Sequence, residues 1–355
     1  MNSKSQQSGT SLSGSLGVVS RRGAGPRRGV GRRGFTIVEL LACCAVAACV
    51  AATTLVGQQP GRGAGGAGGA GANPLAAARM AARDAKEAVQ LRSISQSLMI
   101  WATNNKDLYP LPSQIDLKNN TVKELGEAKD TTANIYSMLV WNGNISTEIL
   151  ISPHETNPGV KDHDTYTYAN TPAAVDKNLA LWDPSLRADL SGTTVGHLSF
   201  AHLQPSGGRK ARWASTFNAD EALLSTRGPE ITSVNVIDSE TAEPQYAKAD
   251  SRTFFFRQGR AGGAAGGGGG GGGAAAKPSW SGTVAFNDSH TELITDHYAP
   301  GKKTLTGAWY MNKDKAKRPD MAFYDEPDDA AAVNNYLGIF GKAGAKPGNF
   351  VGLWD

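Results

Sequence analysis

Residues 35–56, FTIVELLACCAVAACVAATTLV, form a 22-residue apolar stretch with a single charged side chain, Glu39. As an α-helix this stretch would be roughly 30 Å long, which is enough to cross the hydrocarbon core of a bilayer. Six arginines lie shortly before it, and no comparable basic cluster follows. The positive-inside rule therefore predicts a single membrane span with a cytoplasmic N-terminus and an exported body.

The basic character of the chain is confined to its first residues. The full sequence has 36 Lys and Arg against 32 Asp and Glu, but residues 1–34 contain seven of those basic residues and no acid. The rest of the chain therefore holds 29 basic and 32 acidic residues, a net charge of −3. A mildly acidic body, whose tryptophans follow no basic stripe, argues against a nucleic-acid partner.

The junction RRGFTIVELL, residues 32–41, combines a glycine, a phenylalanine and a glutamate five positions into an apolar helix. This combination resembles the cleavage and methylation signal of type IV prepilins and type II secretion pseudopilins. The resemblance implies that 1–34 is a leader peptide. It also implies that prepilin peptidase cuts between Gly34 and Phe35 on the cytoplasmic side and then methylates the new amino group of Phe35.

Glu39 is the expected assembly residue. A carboxylate inside a membrane segment is costly unless it is paired, and such residues are functional candidates by default. Its predicted partner is the α-amino group of Phe35 in a neighbouring subunit, which exists only after the leader is removed. Two alternatives stay open: Glu39 reaches interfacial water without a role, or the segment is a secretory signal cut near residues 51–53.

Residues 57–73, GQQPGRGAGGAGGAGAN, contain eight glycines and predict a flexible linker. In the pilin family the anchor helix usually runs on unbroken, so this chain departs from that pattern. The three cysteines, Cys43, Cys44 and Cys49, all lie in the apolar stretch. They therefore provide no disulfide for the body, and we interpret them as small apolar side chains, with lipidation as the alternative.

A helix is predicted over 75–103, with Asn73 as N-cap and Pro74 at its first turn. Its apolar positions step by three or four residues, as in an amphipathic helix, whereas a coiled coil would need more heptads. The stretch 78–113, ending in Tyr-Pro, resembles the first helix in the heads of large pseudopilin-like proteins. The predicted apolar stripe is Ala88, Leu91, Ile94, Leu98 and Trp101.

After residue 130 the pattern predicts a helix at 135–141 and then mainly short strands between Gly, Pro, Asn and Asp clusters. Together with the preceding segments this gives an α+β fold class: a transmembrane helix, a linker, and a pilin-like head (74–355) in which an amphipathic helix packs on an antiparallel sheet. A glycine-rich insertion is expected at 259–276. The strand candidates are 165–169, 196–201, 212–217, 231–237 and 253–257, followed by a hairpin of 282–286 and 291–295.

Two short phrases extend the resemblance along the chain. FNDSHTELI, residues 286–294, is similar to a phrase near the end of such heads. The turn in that phrase is usually Asp-Gly-His, and here Ser289 replaces the glycine. ILISP, residues 149–153, is similar to a cysteine-proline phrase, with Ser152 in place of the cysteine. The serine at 289 is expected to alter the backbone geometry of its turn.

The acidic segment Asp320, Asp325, Glu326, Asp328 and Asp329 is the best candidate for a metal site, because carboxylates suit calcium and some type II secretion pseudopilins hold calcium in a late loop. Its spacing fits no EF-hand, so a solvated acidic loop without any cofactor is the favoured interpretation. Asp162-His163-Asp164 and Asp288-Ser289-His290 are interpreted as polar turns rather than zinc ligands. No Gly-x-Ser-x-Gly or phosphate-binding glycine motif supports catalysis.

The sequence therefore predicts a non-enzymatic filament subunit, either a pseudopilin or a minor pilin, of a type IV pilus-like or type II secretion filament. Its expected partners are prepilin peptidase, other pilin or pseudopilin subunits and the inner membrane. The head is expected in the periplasm, or outside the cell after assembly. The alternative is an exported binding or enzymatic domain that is tethered to the membrane by a prepilin-like anchor.

Overall fold

The computed structural model describes residues 74–239, 242–247, 256–258, 278–294 and 309–354. Helix α1 spans Pro74–Thr103, and two further helices follow, α2 at Pro112–Ile115 and α3 at Thr132–Trp141. Thr131 caps α3 through its side chain, which accepts a hydrogen bond from the Asn134 amide. Short 3-10 turns lie at Gly126–Lys129, Thr147–Leu150, Gly207–Arg212 and Pro347–Asn349.

The largest sheet has five strands in the order β11-β1-β2-β7-β8, and each strand is antiparallel to the strands beside it. Its strands are β1 at Phe200–Leu203, β2 at Ala222–Thr226, β7 at Gly282–Phe286, β8 at Thr291–Ile294 and β11 at Leu337–Gly338.

The remaining strands form separate two-stranded ribbons. These ribbons pair β3 (Ile231–Val236) with β4 (Ala242–Tyr246), β5 (Phe256–Gln258) with β6 (Pro278–Trp280), β9 (Trp309–Met311) with β10 (Lys317–Pro319), and β12 (Phe340–Lys342) with β13 (Val351–Gly352).

The core lies between α1 and the five-stranded sheet. Leu91, Ile94 and Leu98 of α1 are fully buried in the same apolar cluster as Leu224 and Val284 of the sheet. Burying a side chain of this size contributes about 1.5–3 kcal/mol. Helix α1 contacts β2, β7 and β8, so its buried face is fixed by the middle and one edge of the sheet.

The predicted fold class is wrong. The prediction was a transmembrane helix followed by a head in which one helix packs on one sheet. The structure instead has a sheet-rich C-terminal region with many short ribbons, and its helical content is 26%. Between residues 151 and 199 the chain has only turns, bends and irregular segments, apart from one isolated β-bridge between Val160 and Gly196. The reason is local: frequent Gly, Pro, Asn and Asp end each strand after two to six residues.

The predicted membrane segment, 35–56, lies outside the described residues. No helix within the described ranges is long and apolar enough to span a bilayer. The predicted leader (1–34), linker (57–73) and glycine-rich insertion (259–276) also fall outside the described residues, so their boundaries stay predictions.

Two strand predictions are wrong for tertiary reasons. In 165–169, the amide and hydroxyl of Thr167 both donate to the Asp183 carboxylate at 2.9 Å, so the backbone has no neighbouring strand. In 212–217, only an isolated bridge forms, between Ala214 and Leu108. By contrast, the helix predicted at 135–141 and the hairpin predicted from residue 282 are both present, as α3 and β7–β8.

Candidate functional sites

The predicted processing and assembly residues, Gly34, Phe35 and Glu39, lie outside the described residues. The structure therefore leaves the cleavage site and the assembly carboxylate as sequence predictions. Within the described residues, the candidates for function are the acidic segment near the C-terminus, a buried carboxyl on α1, the outward face of α1 and an open cleft beside α3.

The acidic loop, residues 320–329, directs its carboxylates towards donors of the protein itself. Asp329 accepts hydrogen bonds from the amides of Val333 (2.6 Å) and Asn334 (2.8 Å). Glu326 accepts from the Met321 amide at 2.8 Å and from the Asn334 side chain. The carboxylates therefore hold the loop in shape.

The two other weak metal candidates also have internal partners. Asp328 accepts hydrogen bonds from the hydroxyl of Tyr310 and from the side-chain Nδ2 of Asn312, while Asp325 pairs with Arg209. Among the residues that the structure describes, no group of three or more His, Cys, Asp or Glu is placed to hold a metal ion. The geometry therefore favours a structural role for this loop over calcium binding.

Arg209 is the centre of this arrangement, and its guanidinium is fully buried. Its Nε donates to the Asn334 carbonyl at 2.9 Å, and its two terminal nitrogens reach Gln204, Asp325 and the Asn334 side chain. A buried charge of this kind is tolerated only when it is paired and hydrogen-bonded. Arg209 therefore ties the acidic loop to the segment that follows β1.

Burial changes the acidity of two carboxyls in the loop. It raises the pKa of Asp320 to about 6, against the opposing effect of hydrogen bonding from Asn335 and the nearby Arg212 and Arg209. Burial, together with the charge of Asp320, also raises the pKa of Glu326 well above its ordinary value. The loop is thus a buried polar network rather than the solvated acidic segment that the sequence predicts.

The two histidine motifs form polar turns, as predicted. The His163 amide donates to Asp162 at 2.7 Å, and the His290 amide donates to Asp288 at 3.0 Å. The His290 ring stacks on Phe286 with centroids 4.3 Å apart, and its Nδ1 lies 2.6 Å from Asp288. The His290 ring therefore stays within its own hairpin, whereas His163 Nε2 lies 2.8 Å from the hydroxyl of Ser185.

Sequence reasoning missed a buried carboxyl on α1. Glu87 is 1% exposed and accepts hydrogen bonds from Ser152 at 2.5 Å and from Thr283 of β7 at 3.0 Å. Burial is the main reason that its pKa is raised to about 7, and the nearby charges of Asp84 and Glu155 act in the same direction. The spacing of the sequence does indicate that Glu87 is buried, because Glu87 precedes Leu91 by four residues and so lies on the same side of the helix as the apolar stripe.

Ion pairs surround this carboxyl. His154 Nε2 lies 2.7 Å from Asp84 Oδ1, and Arg227 donates to Glu155 at 2.7 Å. Glu155 also accepts a hydrogen bond from Ser199 at 2.7 Å. We call Glu87, Ser152 and Thr283 the Glu87 network; it joins α1 both to β7 and to the segment around residue 152.

The substituted turn in the hairpin makes a second polar contact with α1. Ser289 has a φ of +67°, a left-handed conformation that favours glycine. Its hydroxyl lies 2.8 Å from the hydroxyl of Ser95 on α1. A serine therefore accepts an unfavourable backbone conformation here and gains a contact that glycine would lack.

The outward face of α1 carries exposed apolar side chains, with the charged side chains of Lys86 and Arg92 at its margins. Leu75, Val89 and Ile100 are exposed by 56%, 61% and 57%. Other positions on this face are small or polar; they recur every three or four residues from Leu75 to Val89, and Arg92 and Ser93 occupy the turn between Val89 and Gln96. We call this face the α1 seam; it consists of Leu75, Ala78, Ala82, Ala85, Val89, Gln96 and Ile100.

An open cleft of about 790 Å³ lies beside the N-terminus of α3 and strand β12. Its floor includes the apolar side chains of Leu186 and Phe340, while Arg187, Lys342 and Glu124 contribute charges of both signs at the edge. This mixture does not select one class of ligand.

Comparison with protein-family models, with curated proteins and with solved structures finds no match for this chain.

Proposed function

We propose that the chain is a structural subunit, a pseudopilin or minor pilin, of a type IV pilus-like or type II secretion filament. The observation that carries the proposal is the junction of Gly34, Phe35 and Glu39 at the start of a 22-residue apolar stretch. In this proposal, prepilin peptidase removes residues 1–34 and methylates Phe35. The protein itself performs no catalysis.

Electrostatics explains why cleavage precedes assembly. Removal of the leader creates a positively charged amino group at Phe35, and the carboxylate of Glu39 in the adjacent subunit is its partner. An unpaired acid within a bilayer is costly, so the pair forms as the subunit leaves the lipid. The pair also fixes the axial position of one subunit against the next.

The α1 seam supports a lateral contact with a second subunit. Val89 and Ile100 leave more than half of their apolar surface in water, and the alanines at 78, 82 and 85, between Leu75 and Val89, allow another helix to approach closely. The seven seam side chains are themselves uncharged, which limits the cost of burying this face at a subunit contact.

The decisive measurement is the mass of the mature N-terminus in cells that express the peptidase. We expect a chain that begins with N-methyl-phenylalanine at Phe35. Gly34→Leu should keep the leader attached, because a bulky residue replaces the glycine at the bond that is cut, and Gly25→Leu serves as the matched control inside the leader. A mature chain that starts after residue 50 would instead support the tethered exported domain.

A further inference from the structure

Helix α1 carries a second surface feature besides the seam. Arg79, Arg83 and Lys86 are spaced by four and three residues, so they lie along one side of the helix. We call them the basic stripe. All three are exposed, and none has a hydrogen bond or an ion pair with any residue that the structure describes.

The acids nearby do not neutralise the stripe. Asp84 is paired with His154, and Glu87 is buried in its own network. No exposed Asp or Glu occurs on α1, whereas the chain after residue 34 carries a net charge of −3. The stripe is therefore a positive feature on a body of opposite sign.

The stripe lies on an exposed side of α1. Residues 75–79, 81–83 and 85–86 are all exposed, whereas Met80 and Asp84 on the other side are half-buried, and Asp84 pairs with His154 of the body. The free amides at the N-terminal end of the helix add partial positive charge there. This end of the helix can therefore approach a flat anionic surface without obstruction from the sheet.

The length of the chain between the predicted membrane segment and the stripe keeps the stripe close to a membrane surface. Residues 57–78 connect the predicted membrane segment to the stripe, and a fully extended chain of this length reaches at most about 80 Å. A short tether of this kind keeps the effective concentration of the stripe at the bilayer surface high. Basic residues near anionic headgroups bind them with a strength that falls as salt increases.

We propose that the basic stripe docks on the anionic lipid headgroups of the membrane that holds the chain and keeps the body at the bilayer before assembly. This inference rests on the membrane segment of the proposed function. It assigns Arg79, Arg83 and Lys86 the role of a reversible electrostatic contact. The contact lies beside the α1 seam and leaves that seam free for another subunit.

The test uses Lys86 as its own reporter. The full chain is reconstituted in vesicles of phosphatidylcholine, with or without phosphatidylglycerol, and a water-soluble acylating reagent is applied. Mass spectrometry then follows the modification of Lys86 relative to Lys123, an exposed lysine outside α1. We expect Lys86 to react at least about fivefold more slowly on anionic vesicles, and the difference to disappear at high salt.

Variants distinguish the effect of the basic stripe from the effect of positive charge elsewhere on the protein. Arg79→Gln/Arg83→Gln should return Lys86 to its rate on neutral vesicles, whereas Lys118→Gln/Lys177→Gln, which changes two exposed lysines elsewhere, should leave the protection intact. Equal Lys86 rates on both vesicle types would overturn the proposal. So would protection by a short DNA duplex without protection by anionic vesicles.

Failure of the membrane segment is recognised independently. Flotation with neutral vesicles reports only whether residues 35–56 insert, because these vesicles offer no charge to the stripe. A chain that does not insert can still be mixed with excess anionic vesicles and read at Lys86. Flotation therefore tests the membrane segment, and the modification of Lys86 tests the stripe.

Discussion

The carboxyl of Glu87 on α1 accepts a hydrogen bond of 2.5 Å from the hydroxyl of Ser152, and both side chains are buried. This contact joins the long helix to a segment 65 residues later in the chain. Thr283 completes the connection from the sheet side. A titratable group therefore lies at the contact between α1 and the rest of the body.

Stability should fall as pH rises through the titration of Glu87. Its pKa is about 7 in the folded chain against 4.5 for the free side chain, so the folded state retains a proton that the unfolded state loses. The stabilising contribution is complete below pH 4.5 and is lost between pH 4.5 and about 7. We expect a loss on the order of 3 kcal/mol, measured by urea unfolding across this range.

Glu87→Gln should remove this dependence, because the amide keeps the shape of the side chain and does not ionise. The control is Glu124→Gln, which changes an exposed carboxyl. Parallel stability curves for Glu87→Gln and the unaltered chain would show that Glu87 does not cause the pH dependence.

Replacement of Arg209 should destabilise the chain strongly. Arg209→Met leaves the buried oxygens of Gln204 and Asn334 without their donor, and we expect a loss of about 3 kcal/mol in the free energy of unfolding. Arg209→Lys should recover only part of this loss, because an ammonium cannot make the same planar set of hydrogen bonds. Arg187→Met, at an exposed arginine, should change stability by less than about 0.5 kcal/mol. A similar loss for both arginines would contradict the role of the network.

Calcium should leave the thermal midpoint unchanged to within about 1 °C. The carboxylates of Asp328 and Asp329 already accept hydrogen bonds from within the protein, and a ligand stabilises the folded chain only when it binds that state. Thermal unfolding with millimolar calcium and with a chelator tests this expectation. A midpoint that rises with calcium concentration would restore the calcium interpretation.

The seam prediction concerns assembly rather than stability. Val89→Glu should abolish incorporation into filaments, because it places an unpaired charge in the proposed subunit contact. Its effect on unfolding should stay within about 0.5 kcal/mol, since Val89 is 61% exposed in the single chain. Leu117→Glu is the matched control, at a side chain that is 77% exposed away from α1. The measurement is the amount of each variant in sheared, sedimented filaments, and equal amounts would rule out the seam as a contact.

Local patterns predicted several elements well. The spacing of Leu91, Ile94 and Leu98 indicates a helix with one buried face, and the structure has that helix with all three side chains buried. The hairpin was visible because two short strand-forming stretches flank a polar turn at Asn287–His290, and β7 and β8 pair across it. Both signals lie within a few residues of each other, so no distant contact is needed to produce them.

The sequence by itself determined the features that depend on neighbouring residues: the apolar stretch with Glu39, the junction at Gly34 and Phe35, helix α1 and the hairpin. Tertiary structure decided what depends on distant residues. It paired β1 with β11, more than a hundred positions later, and it placed Ser152 and Thr283 against Glu87. Burial and hydrogen bonding between remote segments set the register of the sheet and the acidity of that carboxyl, and the order of residues along the chain contains no local sign of either.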